Sequence, residues 1–189
     1  AETGGLNAMI VDSTALPEQA IKDIISSAFQ SAGQRCSALR VVYVQEDIYP
    51  NFLEMLSGAM NELKVGQPWE LSTDLGPLIS AEAHNAIQAY VDVAASEGRL
   101  LKTINQDIPT TGHFISPSII QVDGINDMDT EVFGPILHIA IFKANHINHI
   151  VDHINKRGYG LTFGLHTRID SRVEKIINQL NVGNINPSS

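Results

Sequence analysis

The sequence predicts an open α/β domain, a mostly parallel sheet with helices on both faces. Two features of its 189 residues carry that prediction. Short runs rich in β-branched residues alternate with longer stretches whose apolar residues recur at helical spacing, and strand followed by helix, repeated, makes consecutive strands parallel with covering crossovers. The composition, 43% hydrophobic and 17% charged, is that of a globular chain able to bury a core without disulfide or metal.

The elements follow in order. NAMIVD (7–12) is an apolar run bounded by turn-formers and reads as a buried strand. STALPEQAIKDIISSAFQSAG follows as a helix, with Ile21, Ile24, Ile25, Ala28 and Phe29 at helical spacing and Pro17 suited to its first turn. LRVVYVQ (39–45) reads as the second strand and YPNFLEMLSGAMNELK (49–64) as the second helix, stopped near Gly66 and Pro68. Met55, Leu56 and Met60 in that helix fit core filling. A loop, KVGQPWELSTDLGPLIS, leads to a third helix over about 80–97 whose Ala86, Ile87, Tyr90, Val91 and Ala94 form one apolar face, and Gly98 ends it. RLLKT, FISPSIIQV (114–122) and HIAIFK (138–143) read as extended, a fourth helix covers 146–156, and GLHT (164–167), a helix over 171–180 and VGNIN complete the series. No repeat, low-complexity tract or linker interrupts it, so one domain is expected.

Charge and cysteine usage narrow the function classes. A net charge of −9 with no Lys/Arg cluster repels a polyanion, which argues against nucleic acid. The apolar runs are too short for a transmembrane segment. A single cysteine forms no internal disulfide, and the absence of a signal-peptide pattern points to a reducing, cytoplasmic setting.

That cysteine, Cys36, lies in QSAGQRCSALR (30–40), where the chain runs from a helix into a strand. Open α/β sheets bind ligands beyond the carboxyl ends of strands, so this placement by itself favours inert packing of a small apolar side chain. Gly33, Gln34, Arg35 and Ser37 are poor company for an apolar pocket, however. An ordinary thiol, with a pKa of about 8.5, needs a cation such as Arg35 or oriented N–H dipoles nearby to act as a nucleophile at neutral pH. Glu2, just before two glycines, reads by itself as a solvated charge.

Three motifs taken together change this. Glu2-Thr3-Gly4-Gly5, Gly33-Gln34-Arg35-Cys36 and Glu131-Val132-Phe133-Gly134-Pro135, in that order, resemble the E-L-G-G, G-Q-x-C and E-x-F-G-P motifs of the aldehyde dehydrogenase superfamily, with Thr3 in place of leucine. DLGPLIS (74–80), GYGLTFGLHT (158–167) and NVGNI (181–185) add to a resemblance that covers nearly the whole chain. Within the superfamily, ETGGLNAMIVDSTALPEQ, SAGQRCSALR and YGLTFGLHTRID look like the Δ1-pyrroline-5-carboxylate dehydrogenase part of the bacterial proline utilization A flavoenzymes. That resemblance implies NAD-dependent oxidation of L-glutamate γ-semialdehyde to glutamate, with FAD confined to a separate proline dehydrogenase domain that nothing here resembles.

The resemblance also assigns roles. Cys36 attacks the aldehyde as a thiolate, giving a thiohemiacetal that loses hydride and becomes a thioester. Glu2 activates the water that hydrolyses it, and the Cys36 peptide N–H helps to hold the oxyanion. Glu131 accepts hydrogen bonds from the nicotinamide ribose with Phe133 packed close by, and Ser37 is a candidate substrate contact. In the family the dinucleotide-binding domain precedes E-x-G-G, and a substrate-anchoring loop and an oligomerisation strand follow NVGNI. The chain has no G-x-G-x-x-G. The resemblance therefore implies that residues 1–189 are a single catalytic domain of a longer, homo-oligomeric parent, that the NAD-binding domain of that parent is its partner, and that the domain alone does not oxidise aldehydes.

Other clusters read more plainly. His146, His149 and His153 share one helix face, but imidazoles on successive turns do not converge easily on one ion, so a solvated face is expected. His113 and His138 flank extended segments and suit backbone hydrogen bonds. Asp127, Asp129 and Glu131 lack the glycine and spacing of a calcium loop, so no metal is expected. Three alternatives stay open at this point: another aldehyde dehydrogenase subfamily, a cysteine acyl-transferase or hydrolase using one of seven histidines as base, and a non-catalytic assembly module in which Cys36 is packing.

Overall fold

The computed structural model describes residues 5–158 and 160–180, and the backbone alone of 184–188. Seven strands form one sheet in the order β3-β4-β5-β2-β1-β6-β7. Every neighbouring pair is parallel except β3 with β4, so the expected open, mostly parallel sheet is what forms.

At the centre lie β1 (Asn7–Val11) and β2 (Leu39–Gln45), all of whose residues are buried. Burial on both faces is why these stretches are apolar at most positions instead of alternating, with Asn7, Arg40 and Gln45 the exceptions. The expected segment 39–45 and the observed strand coincide. Beside them run β5 (Ile136–Phe142) and β6 (Thr162–His166), then β4 (Ser118–Gln121), β3 (Leu100–Thr103) and β7 (Asn184–Ser188) toward the edges.

One face is covered by α1 (Pro17–Phe29) and α2 (Tyr49–Asn61). Ile21, Ile24 and Phe29 of α1 and Phe52, Leu56 and Met60 of α2 pack on Met9, Val11, Val42, Val44, Leu137 and Ile139. Removing a fully buried side chain of this kind, such as Leu56, costs about 2–5 kcal/mol through lost burial and the cavity left behind. On the other face α4 (Ile147–Arg157) and α5 (Asp170–Gln179) cover Ile10, Val41, Tyr43 and Phe142. Further along that face α3 (Ala81–Ser96) sets Ile87, Val91 and Ala94 against Ile120 and Ile136. The Ser80 hydroxyl caps α3 by accepting from Ala83 N at 3.2 Å, and Gly98, with φ +73°, follows its end. Ala86 departs from the expected apolar face of α3 and is exposed: the stripe in contact with the sheet is narrower than the apolar pattern.

One departure matters for function. The expected first helix extends through Gly33, whereas α1 stops at Phe29 and a 3-10 turn takes over at Gln30–Gly33. Ser31, Ala32 and Gly33 all have positive φ, of 58°, 52° and 67°. Residues with a Cβ seldom adopt that conformation, and where they do the surroundings impose it. Here the turn swings the chain back to the start of β2 and delivers Cys36 to the amino end of the strand.

Candidate active site

Gly5, Cys36 and the 131–135 segment directly precede β1, β2 and β5. These strands are adjacent and parallel, so the motifs meet at the amino edge of the sheet. This is the edge opposite to the one where open α/β sheets usually place ligands.

The thiol sits on a β-turn in which Ala38 N donates to Arg35 O at 3.1 Å, with Cys36 and Ser37 at the corners. Cys36 is exposed and Ser37 half-buried. The carbonyls of the turn are all held. Arg35 O accepts from Arg40 Nη2 at 3.1 Å; Cys36 O and Ala38 O accept from the Asn7 amide at 2.8 and 2.9 Å; Ser37 O is 3.4 Å from the Thr162 hydroxyl. Among the described residues the peptide N–H groups of Cys36 and Ser37 donate to no acceptor. A turn with its carbonyls tied to the protein and two donors left beside an exposed thiol is locally electropositive and suits a developing oxyanion.

Asn7 is the anchor of this arrangement. Its Nδ2 holds the thiol turn, and its Oδ1 accepts from Leu161 N and Thr162 N, each at 2.9 Å, so one side chain ties β1, β2 and β6 together. At 1% exposure it satisfies four backbone groups that would otherwise be buried unpaired. The other residues of the motif serve the loop too. Gln34 accepts from Ile79 N at 2.9 Å and donates to Pro77 O at 3.2 Å, which brings the 74–80 segment against it. The Arg35 guanidinium donates to Ser26 O at 3.0 Å, at the carboxyl end of α1, where a cation complements the helix dipole. Arg35 is thus committed to α1, and the cation pinning the thiol turn is Arg40.

Arg40, fully buried, also reaches the third motif. Its Nε donates to Glu131 Oε1 at 2.9 Å, and its Nη1 donates to Gly33 O at 2.8 Å and Gly134 O at 3.4 Å. Burial draws the pKa of Arg40 down, and the neighbouring Glu131 carboxylate opposes this. Glu131 Oε2 accepts from Gly5 N at 2.8 Å, so a single carboxylate is bonded to both the first and, through Arg40, the second motif. The exposed Phe133 ring lies 5.1 Å from the Arg40 guanidinium. Below Arg40, His138 bridges its carbonyl (2.9 Å) and the Tyr90 hydroxyl (2.8 Å). Burial holds this imidazole neutral, with its pKa lowered to about 4.

Of the sequence-predicted site residues, the structure therefore brings Cys36, Ser37, Glu131 and Phe133 to one edge around Arg40. Glu2 lies outside the described residues. A hollow lined by Asp23, Ser26, Ser27, Arg35, Ser37 and Thr162 places Ser37, the residue after Cys36, beside open space; Cys36 is not among the residues that line it. Sequence reasoning passed over Asn7 and Arg40. The signal was available: each is a polar residue in a mostly apolar, fully buried strand, and such a residue must be spoken for by its partners.

The remaining clusters have other partners. No imidazole is hydrogen-bonded to Cys36 among the described residues, and His166 lies instead 3.4 Å from Asp23. The His149 and His153 rings are 4.0 Å apart with His146 further along, and among the described residues no group of three or more His, Cys, Asp or Glu is arranged to hold a metal. Asp127 closes its own turn by accepting from Asp123 N at 2.7 Å. No helix of the described residues is long and apolar enough to cross a membrane.

Comparison with known proteins gives a consistent result. The model of the aldehyde dehydrogenase family matches residues 1–187. The bifunctional protein PutA of Escherichia coli (strain K12) is 44% identical over 191 residues, covering 98% of this chain and 14% of that protein. The 1-pyrroline-5-carboxylate dehydrogenase of Geobacillus kaustophilus is 36% identical over 187 residues, covering 98% of this chain and 36% of that protein. Among solved structures, a variant of Bradyrhizobium japonicum proline utilization A (PutA) superposes with a TM-score of 0.93 at 44% identity, over 99% of this chain and 19% of that one. A 1-pyrroline-5-carboxylate dehydrogenase from Thermus with bound NAD superposes with a TM-score of 0.84 at 30% identity, over 98% of this chain and 36% of that one. The chain thus spans 14% to 36% of the length of these two curated relatives.

Proposed function

Because the chain belongs to the aldehyde dehydrogenase family, we propose that it is the thiol-bearing catalytic part of an NAD-dependent dehydrogenase that oxidises L-glutamate γ-semialdehyde to glutamate in proline catabolism. The observation that carries the reading is the Cys36 turn, an exposed thiol beside two N–H donors that have no acceptor among the described residues. The printed names of the PutA and 1-pyrroline-5-carboxylate dehydrogenase relatives support the substrate. An exposed cysteine does not fit a packing role, and a thiol with no imidazole bonded to it does not fit a cysteine–histidine hydrolase.

The chemistry follows from these groups. Cys36 Sγ, as thiolate, adds to the aldehyde carbon, and the carbonyl oxygen becomes an oxyanion held by the Cys36 and Ser37 peptide N–H groups. Removing one such donor lowers the rate by about 100-fold or more. Collapse of this thiohemiacetal restores the C=O as the carbon gives up hydride, leaving a thioester on Cys36. NAD, when bound, supplies the acceptor for that hydride. Glu2 takes a proton from water, the hydroxide adds to the thioester, and the acid leaves as the Cys36 thiolate is regenerated.

The residues present suit the cofactor. Glu131 Oε2 has one N–H partner among the described residues, which leaves a lone pair to accept from a ribose hydroxyl, and the exposed face of Phe133 offers a flat apolar surface near it. Ser37, half-buried and next to Cys36 in the turn, contacts substrate. NAD is the cofactor of this part of the protein, FAD belonging to a separate proline dehydrogenase domain. The protein works in the cytoplasm as a homo-oligomer, and residues 1–189 alone produce no NADH, because the partner domain that binds the dinucleotide lies elsewhere in the parent. The reading is tested by supplying the full-length protein that carries this chain with glutamate semialdehyde and NAD. Steady formation of NADH and glutamate is expected, and absence of NADH overturns it.

A further inference from the structure

We propose that Arg40 is a positioning residue that couples Glu131 to the Cys36 turn, holding the nucleophile and the ribose-binding carboxylate in one register; the proposal rests on the roles just assigned to those two residues. All five N–H donors of a guanidinium find acceptors here, and the acceptors fall in two segments. Gly33 O and Arg35 O belong to the turn that carries the thiol, and Glu131 Oε1 and Gly134 O to the loop before β5. The second Arg40–Glu131 contact, Nη2 to Oε1 at 2.8 Å, makes the pair two-pronged onto one oxygen.

The two segments have other reasons to move together. A Cβ on Gly33 would stand 2.1 Å from Gly134 O, so their backbones are already in contact beneath the guanidinium. On its far side the Arg40 carbonyl accepts from His138 Nδ1, with Tyr90 closing the chain, so the strand cannot yield at that point without breaking a buried bond. With no donor to spare, Arg40 is not itself a ligand for substrate or cofactor. Its cation is balanced by Glu131, which among the described residues has no hydrogen bond or ion pair with Cys36. The hydrogen-bonded route from Glu131 to the thiol turn therefore runs through Arg40. Lysine, a point charge on one nitrogen, cannot span both segments.

The test uses the full-length protein. Glu131→Gln keeps the side chain's shape and removes its charge, leaving Arg40 less balanced beside the thiol. Alkylation of Cys36 by iodoacetamide at neutral pH, without NAD, is expected to quicken by about threefold or more. A rate within about twofold of the parent protein overturns the proposal. In Arg40→Lys the KM for NAD is expected to rise about tenfold, and Arg40→Lys/Glu131→Gln should be no worse than the more affected single variant, since both act through one link. Additive losses overturn it. Should Arg40→Lys fail to fold, the alkylation of Glu131→Gln decides alone. If the parent protein makes no NADH yet Glu131→Gln still alters Cys36 alkylation, the proposed activity fails and the coupling stands.

Discussion

The side-chain amide of Asn7 donates to the carbonyl of Cys36 at 2.8 Å, so the residue that opens β1 fixes the turn that opens β2. Its other bonds, to Ala38, Leu161 and Thr162, tie three strands together at this edge. Asn7→Ala would leave two carbonyls and two N–H groups unpaired and should destabilise the protein by about 2–4 kcal/mol. Asn7→Asp should fare no better, because a carboxylate cannot donate to Cys36 O or Ala38 O. Urea unfolding of the three proteins checks this; a loss below about 1 kcal/mol for Asn7→Ala would show that water or a repacked turn replaces the amide.

Gly33 and Gly134 are predicted to differ sharply in tolerance. Alanine at Gly33 meets the Gly134 carbonyl at 2.1 Å and must also hold φ +67°, and neither backbone can give way. Alanine at Gly134 meets Ile87 Cδ1 at 2.3 Å, the end of a side chain that can change rotamer. Gly33→Ala should therefore destabilise strongly, by about 3 kcal/mol or more, and Gly134→Ala by about 1 kcal/mol. Thermal unfolding of both variants gives the order, and equal losses would contradict it.

Buried His138 makes stability fall with acid. Its pKa drops from 6.5 to about 4 on folding, chiefly through burial, so below pH 6.5 the unfolded chain binds the extra proton. Stability from this group is complete above about pH 6.5 and is lost as the pH falls toward 4, by about 3 kcal/mol. His166, also lowered by burial and partly restored by Asp23, acts in the same direction. Denaturant midpoints measured from pH 7 to 4.5 should decline, and His138→Gln should flatten the decline. An unchanged slope in that variant would place the acid sensitivity elsewhere.

Most of the fold was legible because its signals are local. A strand buried on both faces is rich in apolar, β-branched residues, so LRVVYVQ could be bounded to the residue despite Arg40 and Gln45, and Pro17 marks the start of α1. The end of α1 was not legible, because QSAG carries no local breaker before Gly33; the bond from Arg35 to the helix end and the Gly33–Gly134 contact impose the turn, and both depend on tertiary structure. The site divides in the same way. Cys36 and Glu131 were found through short motifs, whereas Asn7 and Arg40 act through partners distant in sequence, up to 155 and 94 positions away. The expected strand in VGNIN (182–186) overlaps the observed Asn184–Ser188, its first two residues lying outside the described residues.

The central claim is that Cys36 carries the acyl group. Rapid quenching of the full-length Glu2→Gln variant after mixing with glutamate semialdehyde and NAD, followed by peptide mass spectrometry, tests it most directly. The account predicts a burst of NADH with the glutamyl group attached to the Cys36 peptide, and loss of both in Glu2→Gln/Cys36→Ser. NADH formed at an undiminished rate after Cys36→Ser, or an acyl group attached to another residue, would contradict it.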